Sequence, residues 1–267
     1  MSVPTEALAC AALRARLDIE YDGTDFYGWG IQPGLRTVQG ELERALTQIG
    51  GRAVSLTVAG RTDRGVHATG QVASHSGRPV DAYALNAVLP PDVRVLASTA
   101  AGDDFDARRH AVSRSYEYRI HTRRPASALH HRTQLHLTRP LDEDALAQAA
   151  ATLIGVHDFT AFTPTETDHV HFRRRILWAH WVREGDALLF RVEGNAFMRN
   201  MVRALVGTML EVGRGMRTPE SFAALLEGAH RREAGVTAAP HGLTLVGVRY
   251  PDGGAGGGAG VPEELET

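Results

Sequence analysis

The stretch Arg14-Ala15-Arg16-Leu17-Asp18-Ile19-Glu20-Tyr21 alternates without a break. Ala15, Leu17, Ile19 and Tyr21 fall on one side and Arg14, Arg16, Asp18 and Glu20 on the other. That is the two-residue period of a strand with one buried face. The pattern returns further along, where Tyr116, Tyr118 and Ile120 alternate with Ser115, Glu117 and Arg119. After the first strand, Thr37 stands where it can cap a helix with Val38, Leu42, Ala45, Leu46 and Ile49 on one face, stopped by Gly50-Gly51. Strands are expected from Val54 through Leu56 and Val58, and over 70–75. After the second strand, Asp142 caps a helix with Glu143 and Asp144 in its first turn, where acids suit the macrodipole, and Gly155 closes it. Strands at 174–182 and 187–193 flank a turn at Gly185-Asp186. A strongly apolar helix is expected over 197–212. Thr218-Pro219 opens a shorter helix that Gly228 closes. A last strand runs over 243–250. The echo predicts an α+β fold of two related halves, with mainly antiparallel mixed sheets and helices packed on one face. The halves divide into 14–110 and 111–251. Residues 1–13 read as a flexible leader and the glycine-rich 252–267 as a flexible tail.

Length and composition agree. The chain has 267 residues, 43% apolar and 22% charged, which leaves room for a core and excludes a disordered or fibrous class. One cysteine, Cys10, excludes an internal disulfide framework and a multi-cysteine metal site. No apolar run reaches the ~20 residues of a membrane span, and no signal peptide is visible. A cytoplasmic protein is expected. All 29 basic side chains are arginine. Chemistry that needs a lysine, such as a Schiff base or a Walker A loop, is therefore excluded. An anion must be gripped by guanidinium forks or backbone amides.

The net charge of −2 conceals a local excess. Arg108, Arg109, Arg114, Arg119, Arg123, Arg124, Arg132 and Arg139 follow one another with a single acid, Glu117, among them. His110, His121, His130 and His131 interleave. Such a basic stripe carrying aromatics is the footprint expected for a polyanion such as RNA.

The densest segment for chemistry is Ala59-Gly60-Arg61-Thr62-Asp63-Arg64-Gly65-Val66-His67-Ala68-Thr69-Gly70-Gln71. Glycines at 60, 65 and 70 imply sharp bends or close approach. Asp63 lies between Arg61 and Arg64, and two guanidiniums would keep a carboxylate ionised as a nucleophile or base. An Asx turn is the plain alternative.

The part from Gly60 to His67 closely resembles the catalytic loop of the tRNA pseudouridine synthase A family. Tyr21-Asp22-Gly23-Thr24, Gly28-Trp29 and Thr37-Val38-Gln39 are similar to that family's opening. Asp104-Phe105-Asp106-Ala107-Arg108 and Arg114-Ser115-Tyr116-Glu117-Tyr118 resemble its middle. Asp158-Phe159, Asn195-Ala196-Phe197, Met201-Val202-Arg203 and Gly242-Leu243 resemble its C-terminal half. The resemblance implies the pseudouridine synthase fold and an isomerisation of uridine to pseudouridine at tRNA positions 38, 39 and 40 in the anticodon stem-loop. It implies Asp63 as the nucleophile, Tyr116 as the residue that stacks on uracil and helps move its proton, and Arg203 as the partner of Asp63. Arg61 would help extrude the target nucleotide. Arg108, Arg123 and Arg124 of the arginine stripe are expected, on their charge, to contact substrate. No cofactor and no metal are implied. The expected partners are tRNA and a second copy of the chain as a homodimer, with no membrane.

The implied roles agree with the physics. A base inside a duplex must be flipped and its stacking replaced, which takes an aromatic platform and cationic grips. Breaking a glycosidic bond develops positive charge at C1′, which an ionised carboxylate stabilises or captures. The rival reading is a non-catalytic RNA-binding module on the same scaffold. A metal-dependent hydrolase built on His67, His157, Asp158 and His169-Val170-His171 lacks a supporting helix pattern. Two positions depart from the family: Gly30, where glutamine is usual, and Arg64, where a smaller residue or lysine is usual.

Overall fold

Leu17, Ile19 and Tyr21 lose nearly all contact with solvent, as the opening alternation requires. The computed structural model describes residues 13–167 and 170–251. In chain order the elements are β1 (Arg14–Tyr21), α1 (Val38–Gly50), β2 (Thr57–Val58), β3 (His67–Ser76), α2 (Ala82–Val88), β4 (Val93–Ala101), β5 (Ser113–His121), β6 (Leu135–His136), α3 (Glu143–Ala151), β7 (Gly155–Asp158), β8 (Arg173–Glu184), β9 (Ala187–Gly194), α4 (Met201–Gly213), α5 (Pro219–Ala224) and β10 (Leu243–Arg249). The fold is α+β. All ten strands join one sheet in the order β4-β1-β3-β10-β5-β9-β8-β7, with β2 on β3 and β6 on β5. Every pairing is antiparallel except β10 with β3 and β6 with β5.

The division near residue 110 falls between β4 and β5, and β10 crosses it to pair with β3. Gly70 permits that crossing: a Cβ there would lie 2.3 Å from the Val246 carbonyl oxygen. The buried side chains form one continuous core around Trp29, Phe26, Tyr118, Phe190 and Phe222.

The helix ends follow local chemistry. The Thr37 hydroxyl accepts from the Gly40 N–H at the start of α1, and Gly51 closes that helix in the left-handed conformation. The Asp142 carboxylate caps α3, and Thr218 caps α5 ahead of Pro219. Several boundaries differ from expectation. Ile49 is 41% exposed rather than core, because it follows the last buried turn of α1. The strand expected from Val54 pairs only at Thr57–Val58, and β3 begins earlier, at His67. The apolar helix starts at Met201, not Phe197, and α3 ends at Ala151, ahead of Gly155. Helix α2 and strand β4 join the expected elements: Asp81 caps α2, and Asn86 exchanges two hydrogen bonds with the Val95 backbone to hold it on β4.

Candidate active site

The loop between β2 and β3 carries Asp63 and is fastened from several sides. Gln71 on β3 donates to the Gly60 carbonyl at 2.7 Å and to the Tyr21 hydroxyl at 3.2 Å. The Tyr21 hydroxyl meets the Thr62 hydroxyl at 2.7 Å. Burial pushes the Tyr21 phenol up to about 12, so it remains a neutral strut. The Trp29 N–H donates to the Thr62 carbonyl at 3.1 Å. Gly28 makes this approach possible: its φ is +88°, and a Cβ would fall 2.9 Å from that same oxygen. The Val66 N–H donates to the Asp63 carbonyl, closing the turn.

Asp63 faces the start of α4. Arg203, one turn into that helix, places Nη1 3.7 Å from Asp63 Oδ2. Its Nε donates to the Ala238 carbonyl at 2.8 Å, and Nη1 donates to Asn200 Oδ1 at 2.9 Å. Burial raises the Asp63 carboxyl above its usual value, and Arg203, the Asn200 backbone N–H and Arg199 pull it back. The guanidiniums that act on Asp63 are therefore Arg203 and Arg199, not its sequence neighbours. Arg61 is exposed, and Arg64 lies 4.3 Å from the centre of the Tyr27 ring. Burial also lowers Arg203. Both partners are pushed toward neutrality, so desolvation outweighs their attraction across 3.7 Å.

Tyr116 comes from β5, is buried, and meets Phe197 edge-on with ring centres 5.1 Å apart. Burial raises its phenol strongly, and the nearby Tyr21 and Asp63 add to the shift. The loop passes close to it: a Cβ on Gly60 would stand 3.7 Å from the Tyr116 hydroxyl, an ordinary contact. Asp63, Tyr116, Arg61 and Arg108 line one cleft of about 1380 Å³, together with Arg64, Phe197 and Arg199.

The arginine stripe does not form one surface. Arg114 is 8% exposed and spends its guanidinium inside the protein. Nε and Nη2 donate to the Ala59 carbonyl at 3.1 and 2.7 Å, Nη2 to that of Arg108 at 2.9 Å, and Nη1 to those of Ala111 and Asn195 at 3.1 and 2.8 Å. Arg119 pairs with Glu117 and Arg132 with Asp25. Arg123 and Arg124 are exposed beyond the far end of β5 and do not line the cleft; Arg123 sits 3.7 Å from Asp186. Arg199 precedes α4 rather than lying on it, and donates to the Glu166 carbonyl.

The histidines have other partners. His67 Nδ1 lies 3.0 Å from the Gly23 N–H and its Nε2 3.0 Å from the Arg132 carbonyl. His157 bonds the Ile154 carbonyl. His169 lies outside the described residues, as does Cys10. Among the described residues, no group of three or more His, Cys, Asp or Glu side chains could hold a metal ion, and no helix is long and apolar enough to cross a membrane. Asn200, Gln71 and the buried role of Arg114 escape a reading of the sequence. No local signal marks Asn200, which falls inside the helix expected over 197–212 and becomes its cap only because the helix starts at Met201.

The family profile described as tRNA pseudouridine synthase matches residues 19–108 and 149–251. A tRNA pseudouridine synthase A from Myxococcus xanthus is 44% identical over 246 residues, 90% of this chain and 93% of that one. Its counterpart from Frankia casuarinae is 48% identical over 251 residues, 90% of each chain. The protein of the same name from Halalkalibacterium halodurans is 43% identical over 236 residues, 86% of this chain and 90% of that one. Among solved structures, a chain of a Cbf5-Nop10-Gar1 complex is similar with a TM-score of 0.36 at 14% identity, covering 74% of this chain and 54% of that one. The molecule is thus an enzyme of the isomerase class, built on an α+β sheet with its cleft at the end of the β2–β3 loop. The chain belongs to the tRNA pseudouridine synthase family.

Proposed function

We propose that this protein converts uridine to pseudouridine in the anticodon stem-loop of tRNA, at positions 38, 39 and 40, with Asp63 as the nucleophile. The observation that carries the reading is the meeting of Asp63 and Tyr116 at one cleft, with Arg203 3.7 Å from the Asp63 carboxylate, the three coming from distant parts of the chain. The C1′–N1 bond breaks, the uracil turns, and C1′ bonds to C5; C5 gives up its proton and N1 gains one. The Asp63 carboxylate meets the charge that develops at C1′. Arg203 offsets part of the cost of burying that charge. Tyr116 enters as a neutral hydroxyl, since burial raises its phenol. It therefore offers a stacking face and relays a proton only by giving one as it takes one. Arg61 and Arg108, exposed on the cleft, supply cations for the backbone of an extruded nucleotide. Arg123 and Arg124 contact a more distant part of the tRNA, and a second copy of the chain completes the binding surface as a homodimer.

The experiment is pseudouridine mapping of an unmodified tRNA transcript after incubation with the wild-type protein and with Asp63→Asn. The wild type converts uridines at positions 38–40 and the variant converts none. Asp63→Asn should still bind within about tenfold of wild type, because phosphate contacts supply most of the affinity. Equal conversion by both proteins would remove Asp63 from the chemistry, and binding without conversion by either would favour the RNA-binding module.

A further inference from the structure

Asn200 is the one non-glycine residue with positive φ among the described residues, at +62°. Asparagine tolerates this region better than most side chains, but the conformation still has to be held by its surroundings. Asn200 occupies the N-cap of α4, where an asparagine side chain ordinarily accepts from the first free N–H groups of the helix. Here it makes no such bond. Its Oδ1 instead accepts from Arg203 Nη1 at 2.9 Å. The same nitrogen stands 3.7 Å from Asp63 Oδ2. On the other side, Nε is tied to the Ala238 carbonyl at 2.8 Å. The guanidinium is thus held by two neutral acceptors, and the carboxylate receives only its nearer edge.

We propose that Asn200 is a positioning residue that fixes the gap between Arg203 and Asp63, so that the arginine steadies the carboxylate without closing on it. The gap matters to the chemistry. A carboxylate gripped at full hydrogen-bonding distance by an arginine is more stable as an anion and correspondingly weaker as a nucleophile. At 3.7 Å Arg203 offsets part of the cost of burying the charge while the oxygen remains free to approach C1′. With its backbone left-handed, Asn200 leaves the cap bond to the helix N–H groups unmade and gives its side-chain oxygen to the Arg203 guanidinium. The same residue's backbone N–H faces Asp63, so one residue acts on both members of the pair. The charged and titratable groups that act on Asp63 from the packed elements are Arg203 from α4, Arg199 from the segment before it and Tyr116 from β5. Arg61, Arg64 and Glu166 share the cleft.

This inference rests on the functional reading above only for its kinetic consequence, so two readouts separate them. In Asn200→Gly the backbone conformation is retained without strain and the Oδ1 is lost. Arg203 Nη1 then closes on Asp63. Followed by the 13C resonance of its side-chain carboxyl, Asp63 should titrate about one pH unit lower than in wild type. That is the change expected when unit charges move from 3.7 Å to ~2.9 Å in a partly wet site. The acid limb of kcat should move down with it, and kcat should fall about tenfold with KM nearly constant. Asn200→Asp keeps the acceptor but adds a charge beside Asp63. It should move the same resonance and the same limb upward. A loss of packing alone lowers the melting temperature of both variants and shifts neither titration. An Asp63 midpoint that is unchanged or higher in Asn200→Gly, or unchanged or lower in Asn200→Asp, overturns the proposal. The carboxyl titration stands even if tRNA proves not to be the substrate. Failure of wild type to modify tRNA would sink the functional reading alone.

Discussion

Arg114 offers the sharpest test of how the segments around β5 are held together. Its guanidinium has five N–H donors, and all five are used, on four backbone carbonyls. Those carbonyls belong to the loop before Asp63, the turn before β5 and the segment after β9. Arg114→Met keeps much of the volume and removes every donor. Hydrogen bonds from a charged donor contribute ~1.5–3 kcal/mol each, though not additively. Against this stands the cost of burying the guanidinium, which lowers its own proton affinity and is relieved by no carboxylate. The net loss is expected to be about 3–5 kcal/mol, the range seen when a buried charge network is broken. At roughly 2–4 °C per kcal/mol for a chain of this size, the melting temperature should fall by ~6–20 °C. Arg114→Lys, with three donors on a compact head, should fall between. Thermal unfolding followed by circular dichroism reads this directly. An Arg114→Met protein that melts within about 2 °C of wild type but binds tRNA poorly would refute the reasoning and return Arg114 to the RNA-facing stripe.

Asp63→Asn should do more than stop turnover. The folded protein raises the Asp63 carboxyl, so the native state favours its protonated form. The ionised group then costs stability once the pH has risen through its folded value, and costs none below its unfolded value. The melting temperature of the variant, relative to wild type, should be higher at pH ~7 than at pH ~3, because Arg203 keeps the Ala238 carbonyl and Asn200 Oδ1. A relative stability that instead rises toward acid pH would reverse the sign assigned to burial. Gly70→Ala sets a Cβ 2.3 Å from a backbone oxygen of β10, so it should speed amide hydrogen exchange in β10 and lower the melting temperature by several degrees. Unchanged exchange in β10 would argue against the close approach. Replacing Arg123 and Arg124 with alanine should reduce the slope of log K against log salt by about 0.7–0.9 for each phosphate lost, and an unchanged slope means the RNA passes elsewhere.

Much of this was legible where local chemistry governs. The alternation of 14–21 and 115–120, the caps at Thr37 and Asp142, and the turn at Gly185-Asp186 are short-range signals, and each element formed where they point. Asp63 and Tyr116 reached one cleft through motif resemblance rather than periodicity. What escaped depends on distance. Nothing near Arg114 says that its donors will find carbonyls as far away as Ala59 and Asn195. Arg61 and Arg64 adjoin Asp63 in sequence, yet successive loop residues point apart, and the acting guanidinium arrives from α4. Ile49 fits the helical period but falls after Leu46, the last buried residue of α1, so its period alone misled.

The insertion of β10 between β3 and β5 also sets an order of events during synthesis. As the chain emerges, β1, β3 and β4 can pair early, since they are close in sequence. The inner edges of β3 and β5 stay open until residues 243–249 leave the ribosome. Open edges are templates for wrong partners, and contacts of such long sequence separation are slow to form. A nascent chain stalled ahead of residue 243 would hold most of its secondary structure with its central seam unzipped, and is the species a chaperone would be expected to engage.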